Sequence, residues 1–99
     1  MAYYSGAYVP NLANPQTSQQ PVTGVAAQLP DMPCKLCFLK NDDAAGSAID
    51  LFVGGATVTS ATGFRLKPGE GISFTVTNAD VIWAVTGGGA ATIDILTLS

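Results

Sequence analysis

The chain has 99 residues with a formal net charge of −3, only 11% charged side chains, and no histidine. Four cations in total leave no basic patch for phosphate neutralisation or for anionic lipid, and the missing histidine excludes Ser-His-Asp and Cys-His machinery. The length allows one small domain, and the shortage of charge points to a surface that meets other protein.

Residues 1–30 carry no charged side chain, and Pro10, Pro15, Pro21 and Pro30, with Pro33 just beyond, recur too often for a helix and remove strand donors. No signal peptide pattern is present, and the Val81–Val85 apolar run is far too short to span a bilayer, so synthesis in the cytoplasm is expected. This composition predicts an extended N-terminal arm over residues 1–31, able to reach about 100 Å when stretched. Tyr3, Tyr4, Tyr8, Val9, Leu12, Val22, Val25 and Leu29 are spaced apolar anchors, the residue types that supply contact energy to a partner. A disordered tail is the alternative reading of the same composition.

From residue 32 the texture changes to that of a β-domain, 32–99. Lys35–Lys40 alternates, with Leu36 and Phe38 on one face and Cys37 and Leu39 on the other. A polar loop, Asn41–Ser47, follows. Ile49, Leu51 and Val53 then recur with period two up to a Gly54-Gly55 turn, and Thr57–Thr59 reads as a short strand or bend. Phe64-Arg65-Leu66, the Lys67-Pro68-Gly69-Glu70 turn and the Ile72, Phe74, Val76 strand together predict a hairpin-like element. Proline presets φ at the second turn position, and glycine supplies the positive φ of a type II turn at the third. Asn78-Ala79-Asp80 is another turn. The strand of Val81, Trp83 and Val85, the Gly87-Gly88-Gly89 turn and a last strand, Ala91–Leu98, complete the chain. In that last strand Ile93 and Ile95 share one face, and Leu96 and Leu98 the other. Six to seven short strands and no helical periodicity predict an all-β fold, a small antiparallel β-sandwich or barrel preceded by the arm.

Chemistry is sparse. Asp42-Asp43 is the only adjacent carboxylate pair, in a loop where solvation is the simpler reading; Asp50, Glu70, Asp80 and Asp94 fall at turns or on polar strand faces. None has EF-hand spacing. Cys34-Lys35-Leu36-Cys37 matches C-x-x-C, but it lacks a second ligand pair for zinc and a helix N-terminus for a redox dithiol, so it reads as two small, partly buried thiols. The triple glycine lacks the lysine and helix of a phosphate loop. Trp83 could stack on a sugar, although a lone tryptophan in an alternating strand is more often core or interface. No enzyme, cofactor or metal is expected.

The run F-V-G-G-A-T-V-T-S-A-T-G-F-R-L-K-P-G-E-G-I-S-F-T-V-T-N-A-D-V-I-W-A-V-T-G-G-G, within Phe52–Leu98, resembles a small β-domain of tailed-bacteriophage structural proteins. The shared pattern is an aliphatic-Val-Gly strand end, a Val-Thr segment, a Gly-Phe-x-Leu-x-Pro-Gly-Glu turn, a strand ending in Asn, and an Ile-aromatic strand before glycines. Proteins of this kind include capsid decoration (cement) proteins and other virion accessory proteins, small β-sandwiches that are often trimeric. The resemblance implies structural turns at Gly54, Gly63, Pro68, Gly69 and Asn78, and core roles for Phe64, Leu66, Ile72, Phe74 and Val76. It implies no active site. The expectation is a capsid decoration protein in the virion, on the outer capsid surface, bound to the major capsid protein and to copies of itself as a homotrimer. The arm lies outside the resemblance and would grip the shell. The alternatives are a tail, spike or head-fibre component with a receptor-binding β-domain, or a carbohydrate-binding module using Trp83 and the tyrosines.

Overall fold

A computed structural model of the chain describes residues 13–42 and 48–99. These residues form eight strands: β1 (Gln16–Val22), β2 (Ala27–Gln28), β3 (Leu36–Asn41), β4 (Leu51–Gly54), β5 (Phe64–Leu66), β6 (Gly71–Phe74), β7 (Trp83–Thr86) and β8 (Ala91–Leu98). Sheet I has the order β1-β8-β3-β6 and sheet II the order β2-β7-β4-β5, with every pairing antiparallel. The all-β sandwich expected from the alternation is therefore present. Its strand count exceeds the expected six to seven because the chain begins to pair inside the region read as an arm.

The core forms where the inward residues of the two sheets meet. Val22, Cys37, Leu39, Ile93 and Ile95 come from sheet I, and Leu51, Val53, Leu66 and Ala84 from sheet II. Leu29, Met32, Cys34, Ala79 and Ile82, from segments outside the strands, belong to the same cluster. Burying each large aliphatic side chain contributes roughly 1.5–3 kcal/mol, so this cluster is the main stabilising term.

β1 corrects the arm expectation for residues 16–28. Its alternating Gln, Thr and Ser residues carry little hydrophobic signal, yet it pairs with β8 along its whole length, Gln16 opposite Thr97 through Val22 opposite Ala91. Pro21 is tolerated because β1 is an edge strand. The carbonyl of its opposite residue, Thr92, accepts from Asp42 N on the other side at 2.9 Å, so the missing proline N–H falls on the free edge. Val22 and Leu29, expected as partner anchors, are instead buried in the core.

Consecutive strands alternate between the sheets, and β4 and β5 are the only consecutive pair of these strands bonded to each other. This corrects the hairpin-like element expected around Pro68. β5 belongs to sheet II and β6 to sheet I, with the Lys67–Glu70 turn crossing between them. The turn itself is of the expected type: Glu70 N donates to Lys67 O at 2.9 Å, and Gly69 has φ +84. Asn41, at the end of β3, fixes where the crossing lands. Its N–H donates to Glu70 O at 2.9 Å, its carbonyl accepts from Gly69 N at 2.8 Å, and its buried side-chain Nδ2 donates to Leu66 O at 3.0 Å and Ile49 O at 2.9 Å.

Two further expectations change. Phe64, implied to be core, lies opposite Val53 but is 58% exposed, because it stands at the open end of the edge strand β5. In the Val81–Thr86 stretch, Ile82 and Ala84 join the core, Val81 is 52% exposed, and Val85 is buried outside the core cluster. Thr57–Thr59 is a bend, held by Val58 N donating to Gly55 O at 3.0 Å.

Candidate interaction surfaces

The two sheets treat their outer faces differently. On sheet II the loop 55–63 between β4 and β5 folds back over Phe52. An added Cβ at Gly63 would lie 2.7 Å from both Phe52 Cβ and Val58 Cγ2, so the loop packs where only glycine fits. Val58 and Val85 are both buried although neither belongs to the inter-sheet core. Sheet II thus covers its outer side with its own chain.

Nothing among the described residues covers sheet I in this way. Leu36 and Phe38 of β3 lie opposite Leu98 and Leu96 of β8, and these side chains alternate with the buried Cys37, Leu39, Ile95 and Thr97, which places them on the outer side. Thr17 of β1 continues the row beyond Leu96, and Ser73 of β6 continues it beyond Phe38. The face forms an open hollow of about 900 Å³. Lys40 and Asp94, opposite each other, mark one end, and Gln19 Nε2 donates to Asp94 Oδ1 at 3.0 Å. The row of apolar pairs ends in a polar, charge-balanced border.

Of the predicted arm anchors, Tyr3, Tyr4, Tyr8, Val9 and Leu12 lie outside the described residues. Val22 and Leu29 are core, and Val25, 76% exposed, remains available for contact. Among the predicted turn residues, Gly69 sits in the left-handed region. Gly54 ends β4, where an added Cβ would come within 3.0 Å of Val58 Cγ2. Asn78 caps a 3₁₀ turn at Ala79–Val81; its Oδ1 accepts from Asp80 N and from Met32 N, each at 3.0 Å, while Nδ2 donates to Asp31 Oδ1 at 2.7 Å.

Several carboxylates are engaged in the fold. Asp50 pairs with Arg65 at 2.6 Å, an exposed pair worth at most about 1 kcal/mol. Glu70 Oε1 accepts from Lys67 N at 2.8 Å inside its own turn. Asp43, half of the adjacent acidic pair, lies outside the described residues, while Asp42 extends β3 by donating its N–H to Thr92 O. Cys34 and Cys37 are free and buried, and Cys34 Sγ donates to Val76 O at 3.5 Å. Burial pushes both thiols up; for Cys37 the neighbouring Cys34 adds to the rise, and its pKa reaches about 11. At neutral pH they are packing groups in the thiol form. Trp83 is half-buried in β7 between Gln28 and Gly54. No group of three or more His, Cys, Asp or Glu among the described residues could hold a metal ion, and no described helix is long and apolar enough to cross a membrane.

The hollow on sheet I had a visible signal in the sequence. β3 and β8 are apolar on both faces, and a strand of that kind needs cover on both sides. Pattern alone did not say which face the second sheet would take. No family model and no curated protein matches this chain.

Proposed function

We propose that the chain is a non-enzymatic structural virion protein of the capsid decoration class, which binds the outer capsid surface and stabilises the shell by bridging coat subunits. The observation that carries this reading is the resemblance over Phe52–Leu98. Its turn motif is used here as a structural crossing, with Gly69 in the left-handed conformation and the turn clamped to Asn41. A sandwich with an apolar outer face that no described residue covers suits a protein that works by contact. Its partners would be the major capsid protein and copies of itself in a homotrimer. The shell-gripping anchors reduce to Tyr3, Tyr4, Tyr8, Val9, Leu12 and the exposed Val25, since Val22 and Leu29 serve the core. Many symmetric copies would add avidity to weak individual contacts.

The test has two parts, copy number in purified particles and rebinding by a chain lacking residues 1–12. About one copy per coat subunit, with rebinding lost on truncation, is the expected result. A few copies per particle would move the protein to a tail, spike or vertex, and undiminished rebinding would remove the arm from the contact.

A further inference from the structure

The chain covers the outer side of sheet II with its own loop, but no described residue covers the hollow on sheet I. Where the chain emerges from the sheet is fixed. Ala13 N donates to Ser99 O at 2.6 Å and Ser99 N donates to Ala13 O at 2.8 Å, so residue 13 is tied to the end of β8 beside Leu98. The pairing slips by one residue between this contact and β1, and Asn14 absorbs the slip with φ +54. Residues 1–12 therefore start at the Leu36–Leu98 end of the uncovered face.

Their sequence suits that face. Val9-Pro10-Asn11-Leu12 has the composition of a turn, with proline at the second position and asparagine at the third, and such a turn would reverse the chain just before Ala13. Beyond that turn, Met1–Tyr8 would run back towards the Phe38–Leu96 pair. Twelve extended residues reach about 40 Å, whereas four strands span only about 15 Å and the length of β8 is about 25 Å. The segment holds all three tyrosines of the chain and no charged side chain. Tyrosine can lay its ring on an apolar floor while its hydroxyl reaches a polar border, here Thr17 and Ser73, and no ionised group has to be desolvated. Tethering gives the segment an effective concentration on the order of millimolar, which a second copy at micromolar concentration does not match.

We propose that, in the free protein, residues 1–12 lie across the outer face of sheet I of their own chain and cover Phe38 and Leu96. This does not rest on the capsid reading; on a shell, a grip by the same segment would uncover the hollow.

The full chain tests the inference. Ser73→Cys puts a thiol at the border of the hollow for a nitroxide label, while Cys34 and Cys37 are buried and the parent chain serves as the unlabelled control. In a ¹⁵N-labelled, spin-labelled chain, loss of amide intensity across residues 3–12 is expected. A 1:1 mixture of ¹⁵N parent chain with spin-labelled ¹⁴N chain should show no such loss. Loss in the mixture would assign the hollow to a second copy, and loss in neither sample would leave it bare; both overturn the proposal. Independently, Phe38→Asp changes a side chain on the outer face and should speed chymotryptic cleavage after Tyr3, Tyr4 and Tyr8 several-fold in the folded chain. An unchanged cleavage rate also overturns it.

Discussion

Gly63→Ala should unfold the protein at a markedly lower temperature, although it adds a single methyl group. The new Cβ would sit 2.7 Å from Phe52 Cβ, 2.7 Å from Val58 Cγ2 and 3.1 Å from the Thr59 carbonyl oxygen. Phe52 Cβ is fixed by the β4 backbone, so the loop 55–63 has to lift. Lifting weakens the turn in which Gly63 N donates to Thr59 O at 2.8 Å and exposes part of Val58. Inserting a group into a filled site costs about 1–3 kcal/mol, and partial loss of one valine's burial adds about 1 kcal/mol. The sum, about 2–4 kcal/mol, lowers Tm by about 10–20 °C in a domain of this size. Trp83 fluorescence and circular dichroism during heating would measure it. Val58→Ala in the Gly63→Ala background removes one of the two clashing atoms, so the double variant should lose less than the sum of the single losses. A Gly63→Ala chain that melts within about 2 °C of the parent would refute the packing described for this loop.

Asn41→Ala removes the donor shared by the Ile49 and Leu66 carbonyls and should lower the denaturant midpoint by an amount equivalent to about 2–3 kcal/mol, with an unchanged m-value. A loss below about 0.5 kcal/mol would mean that Asn41 does not hold the β5–β6 crossing. The thiols set an alkaline limit, since burial raises the Cys37 pKa from 9.0 to about 11 and the folded state favours its neutral form. The stability this gives is complete below pH 9 and is lost as the pH rises to about 11. Urea midpoints should therefore fall across that window and fall less steeply in Cys37→Ala; identical slopes in the two chains would contradict the assignment.

The strands that could be read from sequence are those whose own side chains state their burial. Leu51 and Val53, and Ile93 and Ile95, repeat with period two because one face meets the core, and that signal is local. β1 has no such signal. Its ordering comes from the ladder to β8, and its one deeply buried side chain, Val22, sits at its end. The Pro68–Gly69 turn was legible as a turn but not as a crossing between sheets, because turn chemistry sets φ while pairing partners are chosen elsewhere in the chain.

The outer face of sheet I depends on a choice that hydropathy leaves open. In β3 either Leu36, Phe38 and Lys40 or Cys37, Leu39 and Asn41 could face the second sheet, and each set carries one polar side chain, a lysine in the first and an amide in the second. The observed phase leaves Lys40 outside and buries Asn41, whose Nδ2 bonds the Leu66 and Ile49 carbonyls and whose backbone clamps Gly69 and Glu70. These bonds exist only once β5 and β6 have been placed in opposite sheets. Once Asn41 turns inward, the period of two carries Leu36 and Phe38 outward, and the register with β8 sets Leu98 and Leu96 opposite them. The apolar face on sheet I is thus coupled to one buried amide: the phase that lets Asn41 fix the crossing and keeps Lys40 and Asp94 outside also leaves Leu36, Phe38, Leu96 and Leu98 on the outer side.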